Sequence, residues 1–134
     1  MVGRRRLSAA SLGLLVLGPA QADGVSLARD VQPIFDRQCV TCHLYESPQG
    51  GLILEAGDTH AQTVGVPSTD SKLPRVSPGD PERSYLMYKL RGTQLAVGGK
   101  GAQMPFNAET GSSKLPKDEL DLIEAWIRAG APNN

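Results

Sequence analysis

The two cysteines of this 134-residue chain stand three positions apart, and a histidine follows the second one directly. They belong to the pentapeptide Cys39-Val40-Thr41-Cys42-His43, whose C-x-x-C-H spacing is that of a covalent haem attachment site. Two thiols at this spacing can each add to a vinyl group on the same porphyrin edge, and the next residue then lies beneath the ring. We predict that Cys39 and Cys42 tether one haem and that His43 is its proximal iron ligand, an axial position that histidine commonly fills.

Two other uses of this motif are a thioredoxin-type disulfide and a zinc site. The disulfide motif belongs to a βαβ pattern, and no strand–helix–strand alternation surrounds Cys39 and Cys42. A structural zinc site requires four ligands. The whole chain offers only Cys39, Cys42, His43 and His60, and His43 directly after Cys42 is poorly placed to chelate the same ion. Covalent haem is the favoured interpretation.

Residues 1–22 have the pattern of a signal peptide. A positive segment, Arg4–Arg6, precedes an apolar run, and Ala20–Ala22 is an A-x-A cleavage site. The apolar run, Leu7–Leu17, is shorter than the roughly 20 residues that span a bilayer. We predict Sec export to the periplasm, because c-type haem is attached after export to an unfolded chain. Residues 23–134 would then form one domain; an uncleaved N-terminal anchor is the alternative.

Signal removal leaves a mildly acidic chain. Three of the fourteen basic residues lie in residues 1–22 and all fourteen acidic ones follow, so residues 23–134 carry eleven basic and fourteen acidic side chains, a net charge of −3. This charge argues against nucleic acid or an anionic membrane as partner and is compatible with a basic patch on a partner protein. No integral membrane segment is expected after signal cleavage.

Apolar periodicity predicts three main helices joined by long loops. Residues 26–38 have the apolar stripe of a helix. Asp30 can cap this helix, and Pro33 would lie either in its first turn or at a kink. A second helix begins after Asp80 and ends at Gly92. The third has one apolar face, composed of Leu120, Ile123, Trp126 and Ile127.

The segment between the first two main helices is predicted to be mostly loop. Within residues 44–79, Gly50 and Gly51 mark a tight turn before a short extended apolar segment, and residues 58–64 suit a short helix. A loop of this length is unusual unless it has a function, and wrapping a haem edge would be one. The chain is also poor in aromatic residues, so we expect the haem to fill the core and the haem-free chain to be largely unfolded.

The sixth iron ligand has three candidates beyond the attachment motif: Met87, Met104 and His60. Met87 lies within a predicted helix and is most simply a packing residue, and His60 lies in a polar stretch. Met104 lies in a glycine-rich loop before a proline, where the backbone can be shaped around a ligand. A core-filling role is the alternative for Met104.

At this point the chain resembles the class I-like c-type cytochrome domains of bacterial periplasms. The similarity covers essentially all of residues 23–134. The residues that carry it are Val31–Phe35, Cys39–His43, Gly50–Leu52, Pro78–Pro81, Ser84–Leu86, Met104–Pro105, Trp126–Ile127 and Gly130–Pro132.

The resemblance implies a small all-α fold wrapped around one covalent haem, with N- and C-terminal helices crossing near Phe35 and Trp126. It also implies His/Met ligation by His43 and Met104, and a ring walled by Phe35, Val40, Leu52 and Trp126. The segment from Glu55 to Pro78 is longer than in the shortest members of the family. The carbonyl that orients His43 is left open.

These features lead to one functional prediction and two alternatives. The prediction is a monohaem electron carrier, or an electron-transfer subunit of an oxidoreductase, whose redox partner proteins dock at the haem edge. A thioether ligand fills the coordination sphere, which suits electron transfer and obstructs substrate binding. The alternatives have an open sixth position: a haem enzyme with His60 as its only distal acid/base histidine, or a gas or redox sensor module.

Overall fold

Four α-helices and one short antiparallel strand pair are the main regular elements of this computed structural model, which describes residues 24–106 and 114–134. The helices are α1 (Gln32–Gln38), α2 (Thr59–Thr63), α3 (Tyr85–Arg91) and α4 (Lys117–Arg128), and the strands are β1 (His43–Leu44) and β2 (Ser47–Pro48). A π-helical turn at Leu27–Val31 precedes α1, and 3₁₀ turns lie at Gln49–Gly51, Pro81–Arg83 and Gln94–Val97. The predicted signal peptide, residues 1–22, lies outside the described residues.

The prediction of an all-α fold is wrong, because the described residues combine these helices with a two-stranded sheet and the fold is mixed α/β. The chain reverses direction directly after the attachment motif, so that His43 pairs with Pro48 and Leu44 with Ser47. Strands of two residues are too short to show an alternating apolar pattern. Sequence periodicity therefore assigns this hairpin to a loop.

The first predicted helix consists of two joined pieces, the π-helical turn and α1. Its N-cap is Ser26 rather than Asp30: the Ser26 hydroxyl accepts from the Arg29 N–H at 3.2 Å. The Asp30 carboxylate accepts in return from the Ser26 N–H at 2.8 Å, a reciprocal pair that satisfies two otherwise unpaired donors. Pro33 lies in the first turn of α1.

The second predicted helix is interrupted at Ser84. Asp80 does cap its start, accepting from the Arg83 N–H at 3.2 Å, but the capped element is a 3₁₀ turn. The buried Ser84 hydroxyl donates to Asp80 O at 2.8 Å and accepts from the Ser77 N–H at 2.9 Å. Ser84 is therefore held extended, and α3 begins after it and ends at Gly92, whose φ of 74° is left-handed.

The third predicted helix is confirmed as α4. Ile123, Trp126 and Ile127 are fully buried, and the indole N–H of Trp126 donates to Pro132 O at 2.9 Å. Phe35 belongs to the same hydrophobic core as Trp126, and an Arg37–Glu119 ion pair of 2.8 Å joins α1 to α4. Helices α1 and α4 therefore share one core.

The long segment before α3 is folded back on itself. Gly50 and Gly51 have φ values of 62° and 65°, and extended backbone follows at Leu52, as the sequence predicts. Val64 and Val76 form an isolated parallel bridge, which closes the stretch between them. Within the described ranges, no helix combines the length and the apolar character needed to cross a membrane.

Candidate functional site

The attachment motif lies at the end of α1, where the backbone continues in tight turns. The N–H groups of Cys39 and Val40 both donate to Phe35 O, at 2.8 and 3.0 Å, and the His43 N–H donates to Cys39 O at 3.1 Å. These turns bring three side chains to one cavity wall, those of Cys39, Cys42 and His43. The turns that follow α1 therefore group the three residues that the sequence motif singles out.

The extended segment Leu52–Leu54 fixes both the ring and the backbone of His43. The ring Nδ1 lies 3.2 Å from Leu52 O, and the Leu54 N–H donates to His43 O at 2.8 Å. A protonated Nδ1 donates to Leu52 O, which leaves Nε2 with a free lone pair, the arrangement typical of metal-ligating histidines. Burial of the ring lowers the pKa of His43, which favours the neutral imidazole that a metal ligand requires. The orienting carbonyl is that of Leu52.

The two thiols differ in environment. Cys42 is exposed and Cys39 is half-buried, and neither is in a disulfide. Burial, with smaller contributions from the charges of Glu119 and Cys42, raises the pKa of Cys39 to about 12. Both thiols are available for covalent attachment, with Cys39 held as the neutral thiol at physiological pH.

The cavity that these residues line has a volume of about 520 Å³, within the roughly 300–1,000 Å³ range of small-molecule and cofactor sites. Its walls are mainly apolar. The side chains that provide this character include Leu52, Leu54, Leu86, Leu90, Ala102 and Phe106. Its size and lining suit a largely apolar ligand.

Met104 lies on the wall of this same cavity. Its N–H donates to Lys89 O in α3 at 2.9 Å, which fixes the backbone at this position. Residues 107–113, which follow Met104 and Phe106, are outside the described residues. The predicted site residues Cys39, Cys42, His43 and Met104 therefore all border one cavity.

The other two candidates for a sixth ligand lie elsewhere. Met87 is fully buried in the hydrophobic core and is not part of the cavity wall. His60 is half-buried, with Nε2 3.0 Å from Ala131 O, and it lines a separate cavity of about 390 Å³. The distal acid/base role considered for His60 has no geometric support.

Only one of the four residues expected to wall the haem ring lines the cavity. Leu52 lines the cavity, whereas Phe35, Val40 and Trp126 do not. Phe35 and Trp126 are fully buried within the core, where they pack protein against protein. Apolar character predicted their burial, but it could not distinguish the core from the cavity wall.

Sequence reasoning missed the charged residues of the cavity wall, which are Arg75, Lys89, Lys100 and Asp70. Arg75 donates from Nη1 to Gln62 O at 2.8 Å and from Nη2 to Gly51 O at 3.1 Å. With three cations and one carboxylate among these four residues, positive charges exceed negative ones on the wall. No motif marks these residues, because distant segments bring them together.

Two thiols, one oriented imidazole, a thioether, apolar walls and nearby cations fit a haem, which has an apolar ring and two carboxylates.

Among residues 24–106 and 114–134, no group of three or more His, Cys, Asp or Glu side chains is placed to hold a metal ion. Fold and site together define a small mixed α/β domain with a thiol- and imidazole-lined cavity.

Comparisons with known proteins bear on the fold. A search of protein-family models and a search of curated proteins find no match. Among solved structures, the chain is similar to Kuenenia stuttgartiensis hydrazine synthase, with a TM-score of 0.50 and 22% sequence identity. The match covers 80% of this chain and 16% of that chain, so this chain corresponds to a small part of the larger protein. At this identity the likeness concerns the fold alone.

Proposed function

We propose that this protein is a periplasmic monohaem c-type cytochrome that transfers electrons, as a soluble carrier or as the electron-transfer subunit of an oxidoreductase. The observation that carries the proposal is the position of Cys39, Cys42, His43 and Met104 on one cavity wall. The volume and apolar walls of that cavity suit one haem. No catalytic residue is assigned.

A bound haem would supply one-electron chemistry between Fe(II) and Fe(III). Cys39 and Cys42 would hold it through two thioethers, and His43, whose Nδ1 lies against Leu52 O, would bind the iron through Nε2. The Met104 thioether would be the second protein ligand, and such a ligand gives a higher reduction potential than bis-histidine ligation. The apolar walls would exclude water from the ring and so keep rearrangement during electron transfer small.

Redox partner proteins would dock at the exposed edge of the cavity. Phe106, on the cavity wall, and Tyr45, two residues after His43, are both exposed. Aromatic side chains are enriched in protein interfaces. We expect a weak, transient complex at the small end of interface sizes, below about 1,200 Å².

Optical spectroscopy of protein matured in a periplasm tests the proposal. After denaturation, a pyridine haemochrome assay should show haem retained on the chain. The oxidised protein should show the near-infrared band of methionine bound to iron(III), and the reduced protein should not bind CO.

Paired methionine variants identify the ligand. Met104→Leu should abolish the near-infrared band, whereas the volume-conserving control Met87→Leu should retain it, because Met87 lies in the core. Loss of haem on denaturation of the wild-type protein would refute covalent attachment. A high-spin wild-type spectrum with CO binding would refute His/Met ligation and favour the enzyme or sensor alternative.

A further inference from the structure

The loop that carries Met104 has little intrinsic rigidity. Gly98, Gly99 and Gly101 precede Met104, and glycine has more backbone freedom than any other residue. A weak ligand such as a thioether stays on iron only if its loop is held against the rest of the protein. The contacts that hold this loop therefore determine how often the methionine leaves the iron.

Lys89 in α3 contacts this loop at three points. Its Nζ donates to Lys100 O at 3.0 Å and to Ala102 O at 2.6 Å. Its own main-chain oxygen accepts from the Met104 N–H at 2.9 Å. One helical residue thus holds the loop on the approach to Met104 and at Met104 itself.

Two glutamines assist, each with one side-chain bond. Gln94 Nε2 donates to Gly101 O and Gln103 Nε2 donates to Leu90 O, both at 2.8 Å. Hydrogen bonds from an ionised donor are roughly twice as strong as those between neutral groups. The Lys89 ammonium, with two such bonds, therefore makes the larger side-chain contribution.

We propose that Lys89 is the positioning residue for the axial methionine: its ammonium clamps the loop carbonyls of Lys100 and Ala102 and keeps the Met104 thioether on the iron. This inference rests on the proposed function. It deepens that function by assigning control of access to the sixth coordination position to a residue that is not itself a ligand. Removal of the clamp increases the fraction of time for which that position is open.

The test is the rate at which imidazole, a neutral ligand, binds to the oxidised haem-loaded protein, since imidazole binds only when Met104 has left. Lys89→Leu removes both side-chain bonds and should raise this rate on the order of tenfold, with a weaker near-infrared methionine band. Lys89→Arg retains a cationic donor and should restore most of the band. A neutral probe separates the clamp from a change in electrostatic attraction.

Lys117→Leu is the matched control. Lys117 is an exposed α4 lysine paired with Asp121, so its removal deletes a cation without touching the loop, and both readouts should remain those of the wild type. An equal rise in Lys117→Leu would overturn the proposal, as would a wild-type imidazole rate in Lys89→Leu. If Lys89→Leu does not fold, Lys89→Gln, with one shorter neutral donor, should bind imidazole faster than Lys89→Arg; equal rates would also overturn it.

Different experimental results refute the axial role of Met104 and the positioning role of Lys89. A wild-type protein without the methionine band, or one that keeps the band in Met104→Leu, refutes the axial role of Met104. A band that is lost in Met104→Leu but unchanged in Lys89→Leu, with an unchanged imidazole rate, refutes only the role of Lys89. Guanidinium unfolding of each variant distinguishes a local opening of the loop from global destabilisation, because a local clamp changes the imidazole rate more than the free energy of unfolding.

Discussion

Gly99 lies where the Met104 loop passes against Tyr85 and the main chain of Gln94. A Cβ added at Gly99 would contact the Tyr85 hydroxyl, would lie 2.7 Å from Cε2 of the same ring, and would lie 2.8 Å from Gln94 O. The Gln94 carbonyl is backbone and cannot swing away. A glycine is therefore required at this position by close packing.

We expect Gly99→Ala to lower the free energy of unfolding of the haem-loaded protein by about 1–3 kcal/mol, the usual cost of overpacking. Guanidinium titration measures this change. Gly24→Ala is the control, because nothing lies within 4 Å of a Cβ built at Gly24, and its unfolding midpoint should equal that of the wild type. A Gly99→Ala midpoint equal to that of Gly24→Ala would show that the loop yields without cost.

At this scale, sequence alone can single out residues whose proposed chemistry is local. Cys39, Cys42 and His43 are recognisable because their spacing itself is the signal. The Leu52 carbonyl is not recognisable, because a backbone oxygen has no identity in a sequence. Lys89 is equally hidden, since its role depends on loop carbonyls that only the tertiary fold brings within 3.0 Å of its Nζ.

Among the elements, a buried polar contact joins α1 and α2 to the segment that orients His43. Gln32 Nε2 donates to Leu54 O at 2.8 Å, and Gln32 Oε1 accepts from the Thr59 hydroxyl at 2.7 Å. Both side chains are buried. The position of Leu52–Leu54 thus depends on a correctly paired Gln32.

Thr59→Val keeps the shape of the side chain but leaves the buried Gln32 oxygen without a donor. We expect a loss of about 1–3 kcal/mol in the free energy of unfolding of the haem-loaded protein. A double-mutant cycle with Gln32→Leu checks the mechanism. Because the two residues bond directly, the double variant should lose less than the sum of the single losses, with a coupling of about 0.5–3 kcal/mol. Strict additivity would contradict the contact.

Element prediction succeeded where apolar periodicity is long and failed where it is short. The face formed by Ile123, Trp126 and Ile127 extends over more than one turn of α4, so both its type and its burial were predictable. The β1–β2 hairpin has two residues in each strand, and its formation depends on the turns after the motif. That hairpin is why the all-α prediction failed.

At the scale of the whole molecule, the cavity is large for a chain of this length. Its volume is about 520 Å³. The cavity is open to solvent on one side, so without a group to fill it the apolar walls, among them Leu52, Leu54 and Leu86, would face water. Each Å² of apolar surface left in water forfeits about 25 cal/mol of the driving force for folding, and the net stability of a typical domain is only about 5–15 kcal/mol.

We therefore expect the haem-free chain to be largely unfolded. Two preparations test this: the Cys39→Ser/Cys42→Ser double variant, and the wild-type chain made in a cytoplasm that lacks haem attachment and kept reduced. Both should show weak far-UV circular dichroism, poorly dispersed amide NMR signals and no cooperative thermal transition. The haem-loaded protein should show strong far-UV circular dichroism, well-dispersed amide signals and a cooperative transition. Two preparations are needed because the serine substitutions could themselves perturb α1, whereas the second leaves the sequence intact. A haem-free wild-type chain that unfolds cooperatively, with dispersed amide signals, would mean that the protein core alone supports the fold and that the haem enters a preformed cavity.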